Sequence, residues 1–171
     1  MAVLVPGKFV YLATPHTGSM STSRGLLAHI PGAVSIGEHH AVLSSLGVDV
    51  TPVTTVRNPY DLIVTWWLRT DAKWTYSSFK GFLREYDHPT YVQDGRIFYH
   101  CNPGVEVLRF ENLQRELSAF LICKGLEPFA LPWINRTVDR KPWGSYYDRE
   151  GLEIVWERFG QEAARYGYAR A

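Results

Sequence analysis

The stretch that most constrains this chain is residues 9–25, which read FVYLATPHTGSMSTSRG. Phe9 to Ala13 are the β-branched, aromatic and small residues of a buried strand, and the run stops at Thr14-Pro15. A polar segment with two glycines follows, and Leu26 and Leu27 then begin an apolar helical face. A strand, a short glycine-bearing turn and a helix in this order aim unpaired backbone N–H groups at a bound anion, usually a phosphate. The rest of the chain is read as the frame that presents this turn.

That frame has room for one domain spanning residues 1–171 and a sizeable core. Hydrophobic residues make up 46% and charged residues 20%, a globular rather than a disordered balance. A formal net charge of +1 removes any global argument for nucleic acid, so a polyanion contact has to come from a local patch. The 6 Trp and 10 Tyr suit a cleft that stacks on flat ligands, or simply a bulky core. Cys101 and Cys123 stand in unrelated contexts, so neither a disulfide framework nor a metal site follows from them. Residues 1–8 lack a signal-peptide core and no apolar run is long enough to span a membrane. The expectation is a soluble, cytoplasmic protein with no membrane partner; nothing in the sequence speaks to its oligomeric state.

Along the chain, residues 19–29 read as a helix broken by Pro31-Gly32, and 33–36 as a second strand. Gly37, Glu38, His39 and His40 lead into a weak helix ending near Gly47, and 53–56 form another strand. The clearest local signal is Arg57-Asn58-Pro59-Tyr60-Asp61: Asn58 is a good N-cap, Pro59 suits the first helical position and Asp61 can complete a capping box. Leu62, Ile63, Trp66 and Trp67 carry that helix to about Arg69. Residues 71–102 interrupt the α/β rhythm with a helix near 78–86, a hairpin signal at Asp94-Gly95 and many aromatics. Such an insertion supplies the second wall of a site or covers a sheet edge. Residues 105–110 read as a strand, 111–121 as a helix, 128–142 as an irregular basic loop, and the segment from Asp148 as a long amphipathic helix closed by Gly167. The predicted fold is α/β, three layers with a central, mostly parallel sheet flanked by helices.

The first turn is not a Walker loop, because no lysine precedes its serines, and no GxGxxG is present. A second anion site is nevertheless suggested at residue 57. Arg57 ends a strand beside exposed helix N–H groups, and Thr65 lies nearly two helical turns past Asn58 on the same side. An arginine fork, a hydroxyl and a helix terminus can converge on one phosphate. The plainer alternative is that Arg57 pairs with a carboxylate and Thr65 has no special role. Two anion-binding junctions suggest a ligand phosphorylated at separated positions.

Three blocks in order, FVYLATPHTGSMSTSRGLL, TTVRNPYDLIVTWW and VEVLRFENL followed by KPWGSYYDREGLEIVWERFGQEAARYGY, resemble the sulfotransferases, closest to the branch that includes carbohydrate sulfotransferases. The resemblance implies a P-loop-like sulfotransferase architecture and the donor 3′-phosphoadenosine 5′-phosphosulfate, which leaves as adenosine 3′,5′-bisphosphate. It implies that Pro15, His16, Thr17, Gly18, Ser19, Ser21 and Thr22 hold the 5′-phosphosulfate. It assigns the 3′-phosphate to Arg57 and Thr65, helped by Arg140 and Lys141, with Arg136 a lesser helper.

The chain departs from that pattern at His16, where the family has lysine. The lysine neutralises charge building on the bridging oxygen as the sulfuryl group leaves. A protonated imidazole makes part of that contact, but an unperturbed one is mostly neutral at pH 7. Transfer also needs a base for the acceptor hydroxyl; by resemblance this falls to His40, with His39 as its rival and Glu38 as a carboxylate option. The implied activity is sulfuryl transfer to a hydroxyl or amine of a carbohydrate or other small acceptor, with no metal. Two alternatives stay open: a catalytically silent relative that binds or assembles, and a nucleotide or small-molecule kinase with an atypical phosphate loop.

Overall fold

The computed structural model describes residues 2–37, 46–70, 72–85, 92, 96–98, 100–135, 137 and 140–171, with Lys73 described by its backbone alone. The chain divides into two compact units, residues 1–56 with 100–136, and residues 57–99 with 137–171. No helix among the described residues is long and apolar enough to cross a membrane.

The first unit is built on a five-stranded sheet in the order β3-β1-β2-β4-β5. Its strands are β1 (Ala2–Val5), β2 (Phe9–Leu12), β3 (Val34–Ile36), β4 (Thr51–Val56) and β5 (Glu106–Arg109). β2, β4 and β5 are parallel, whereas β1 runs antiparallel to both β2 and β3. The hairpin joining β1 to β2 was not expected from the sequence. Its turn, Pro6-Gly7-Lys8, closes with the Lys8 N–H on the Val5 carbonyl at 3.0 Å, and Gly7 takes a positive φ of 67°.

β2 is buried along its whole length, as suits a continuous apolar strand in mid-sheet. Alternation along β1 and β2 divides the core between the two faces. Val3, Val5, Phe9 and Tyr11 pack with Leu26 and Ile30 of α1 (Ser19–His29) and with Leu113, Leu117, Phe120 and Leu121 of α5 (Leu113–Cys123). Ala2, Val10 and Leu12 on the opposite face meet Leu46, Val48 and Val50.

The second unit is helical. It contains α2 (Pro59–Arg69), α3 (Ala72–Thr75), α4 (Phe79–Glu85) and α6 (Arg149–Arg165), with a 3-10 turn at Trp143–Tyr146. α2 and α4 both pack on α6, whose Val155, Phe159 and Ala163 are buried. The Asp148 carboxylate caps α6 by accepting from the Gly151 N–H at 2.8 Å, and Gly167, at φ 75°, follows its end as expected. The Glu162 carboxylate accepts from the N–H groups of Ile97, at 2.9 Å, and Phe98, at 3.3 Å, fastening part of the 71–102 insertion to α6. The Asp94-Gly95 hairpin expected in that insertion lies outside the described residues.

Candidate functional site

Two junctions carry the residues singled out from the sequence, one in each unit. In the first, Ala13 and Thr14 follow β2, and residues 15–18 turn the chain into α1. His16, at φ 59°, and Gly18, at φ 79°, are both left-handed, and Thr17 between them is not. Left-handed residues in a turn are the kind of backbone from which anion-binding concavities are built. α1 begins here with no side-chain cap and no acidic residue in its first turn. The positive end of α1 therefore receives no carboxylate from its own first turn. Gly18 is required twice over, because its φ disfavours any other residue and a Cβ there would lie 2.8 Å from Leu113 Cδ2.

The hydroxyls around this turn divide into two groups. Thr17 Oγ1 donates to the Thr14 carbonyl at 2.8 Å, and Thr22 Oγ1 donates to the Gly18 carbonyl at 3.3 Å; both side chains are fully buried. These two bonds shape the turn. His16, Gly18 and Ser21 are half-buried, and Ser21 Oγ accepts from the Ile134 N–H at 3.3 Å while keeping its own proton to donate. Pro15 and Ser19 are buried. Beneath the turn, Thr54 Oγ1 donates to the Leu12 carbonyl at 2.7 Å, so the 2.9 Å bond between Thr14 and Thr54 has Thr14 as donor. The buried Tyr11 hydroxyl bonds Thr55 Oγ1 at 3.0 Å, and burial pushes its phenol up to about 12 despite the bonds to Thr55 and Thr22. Gly25, which the sequence places near the turn, serves packing instead: a Cβ there would lie 2.4 Å from Phe129 Cε2.

The second junction is the start of α2. Asn58 Oδ1 accepts from the N–H groups of Tyr60, at 3.0 Å, and Asp61, at 3.4 Å, with Pro59 in the first turn, as expected from the motif. The Asp61 carboxylate gathers two arginines. Oδ2 accepts from Arg57 Nε at 2.7 Å and pairs with Arg57 Nη2 at 2.6 Å, and Oδ1 accepts from Arg140 Nη2. The Asp61 carbonyl accepts from Arg140 Nη2 at 2.8 Å and from Thr65 Oγ1 at 2.9 Å.

Arg57, Thr65 and Arg140 are thus brought together, with Asp61 as their hub. The plainer reading of Arg57 as the partner of a carboxylate is realised. The same cluster holds two guanidiniums against one carboxylate. Arg57 is 6% exposed, and Arg140 Nε is buried with no hydrogen-bond partner among the described residues. Thr65 is buried, and its hydroxyl proton is committed to Asp61.

Behind the hub, the Tyr147 hydroxyl donates to the Tyr60 carbonyl at 2.8 Å, and Trp143 stacks on Tyr60 at 5.2 Å between ring centroids. Burial and the Asp61 charge hold the Tyr147 phenol well above its ordinary value. Lys141 is exposed. Glu38, His39, His40 and Arg136 lie outside the described residues.

Sequence reasoning assigned Asp61 only to capping, although its i, i+4 spacing from Arg57 is a pairing signal. Its bond to Arg140 spans 79 residues and has no local signature. Among the described residues no group of three or more His, Cys, Asp or Glu could hold a metal ion. No family model, curated protein or solved structure matches the chain.

Proposed function

We propose that the chain binds 3′-phosphoadenosine 5′-phosphosulfate and transfers its sulfuryl group to a hydroxyl, or an amine, of a carbohydrate or other small acceptor, on a P-loop-like sulfotransferase architecture. The observation that carries this reading is the pair of anion-receptive junctions, each at a helix start and each on a motif of the sulfotransferase resemblance. The residues suit such a ligand in kind. The turn at 15–18 offers backbone N–H groups, His16 and Ser21 to a 5′-phosphosulfate, and Arg57 and Arg140 offer guanidinium donors to a 3′-phosphate. Thr65 contributes through Asp61, whose carbonyl it shares with Arg140.

The donor, when bound, supplies an activated sulfuryl group. The acceptor oxygen attacks sulfur in line, the bond from sulfur to the bridging oxygen breaks, and adenosine 3′,5′-bisphosphate departs. In this reading the N–H groups of the turn and His16 stabilise charge at the departing oxygen, and His40 or His39 takes the acceptor proton. His16 carries the role of the family lysine, and a neutral imidazole supplies less charge there than an ammonium does.

The second reading is a silent relative that binds the nucleotide without transfer. It is favoured by the absence of a lysine in residues 13–23 and by the internal use of the Thr17 and Thr22 hydroxyls. Incubation with labelled donor and a broad panel of sugars, phenols and amines separates the two. Transfer that is lost in His40→Ala or His39→Ala while nucleotide binding persists supports the enzyme; intact binding with no transfer to any acceptor supports the silent relative.

A further inference from the structure

Two arginines at one helix start repel each other unless something holds them. Arg57 stands just before α2, and Arg140 arrives from a segment 79 residues past Asp61. Both end on the two oxygens of the same carboxylate, that of Asp61, and Arg140 is also held by the Asp61 carbonyl. The carboxylate is 18% exposed, so this is a partly desolvated hub rather than a fully solvated surface pair.

We infer that Asp61 is a positioning residue for the nucleotide 3′-phosphate: it sets Arg57 and Arg140 side by side before the ligand arrives, and so determines the preference for nucleotides that carry a 3′-phosphate. The inference rests on the nucleotide reading given above. A carboxylate has two acceptor oxygens and serves both guanidiniums at once. A carboxamide has one, and its NH2 group would face the N–H groups of whichever arginine the oxygen did not take. That arginine is displaced and the convergence is lost. Removing the negative charge by itself draws a phosphate in more strongly. That gain is spread through solvent and screened by salt, whereas a charge-assisted bond to a preset fork is lost outright. The sign of the change therefore decides which effect governs.

The experiment is calorimetry on the full chain with two probes, adenosine 3′,5′-bisphosphate and adenosine 5′-phosphate, for wild type, Asp61→Asn, Arg140→Ala and the double variant. Asp61→Asn is expected to weaken bisphosphate binding about tenfold or more, the loss of one charge-assisted hydrogen bond, with 5′-phosphate binding nearly unchanged. In the Arg140→Ala background the same change is expected to add little, because the single amide oxygen then has only Arg57 to hold. A wild-type preference retained by Asp61→Asn, tighter bisphosphate binding, or equal weakening of both probes overturns the inference. The last of these marks a purely structural role. If Asp61→Asn does not fold, Asp61→Glu gives the same readout, since one added methylene misplaces the carboxylate, and an unchanged preference again overturns it. A wild type that does not prefer the bisphosphate removes the nucleotide reading itself.

Discussion

The two junctions offer donors to an anion by different physics. The turn between β2 and α1 is a backbone feature: His16 and Gly18 are left-handed, and the Thr17 and Thr22 hydroxyls are spent on backbone carbonyls. The start of α2 is made of side-chain charge, with two arginines offset by one carboxylate. Backbone donors carry no net charge and cannot swing away, so their selectivity is geometric. Arginine forks carry charge but need restraint, and Asp61 provides it. The backbone junction should therefore fail through substitutions that move the chain, and the charged one through substitutions that remove a partner.

The largest effect on this contrast is expected from Gly18→Ala. A Cβ at φ 79° and 2.8 Å from Leu113 costs about 2–4 kcal/mol from backbone strain and overpacking together. Denaturant unfolding should show that loss, and binding of adenosine 5′-phosphate should weaken. Wild-type stability in this variant would mean that the turn is not preset.

A smaller effect concerns Tyr11 beneath the same turn. Burial raises its phenol to about 12 from 10.0, so the folded chain holds that proton more tightly than the unfolded one. The resulting stabilisation is complete below pH 10 and is lost as pH climbs through about 12. Tyr11→Phe should remove this part of the alkaline decline; identical slopes in that window for the two proteins would contradict the assignment. The smallest effect is at Ser23, whose buried Oγ has no hydrogen-bond partner among the described residues. Ser23→Ala should leave the chain as stable as wild type or more stable by about 1 kcal/mol, read from the same unfolding curves. A clear loss of stability would show that the hydroxyl is satisfied.

What was legible in the sequence is what local chemistry decides. Asn58-Pro59 marks the start of α2, Asp148 and Gly167 bracket α6, and the apolar run at 9–12 followed by a glycine-bearing turn marks β2 and its junction. β1 escaped because four apolar residues before Pro6-Gly7 carry too little periodicity to read as a strand, and the antiparallel side of the sheet escaped with it. The segment after α5 read only as irregular and basic. Its course is set by Gln114, whose side chain donates to the Phe129 carbonyl at 2.9 Å and accepts from the Leu131 N–H at 2.7 Å. The convergence of Arg57 and Arg140 is legible only in part: the resemblance points both at one phosphate, but the carboxylate that joins them reads from the sequence as a cap.

The central claim is the proposal that Arg57, at the start of α2, receives the 3′-phosphate of a nucleotide. Calorimetric titration of wild type and Arg57→Ala with adenosine 3′,5′-bisphosphate, beside adenosine 5′-phosphate, tests it most directly. The expected result is a wild type that prefers the bisphosphate and an Arg57→Ala variant that loses that preference, by about tenfold to a hundredfold, while still binding the 5′-phosphate. No binding of the bisphosphate by the wild type, or equal binding by the variant, contradicts the claim.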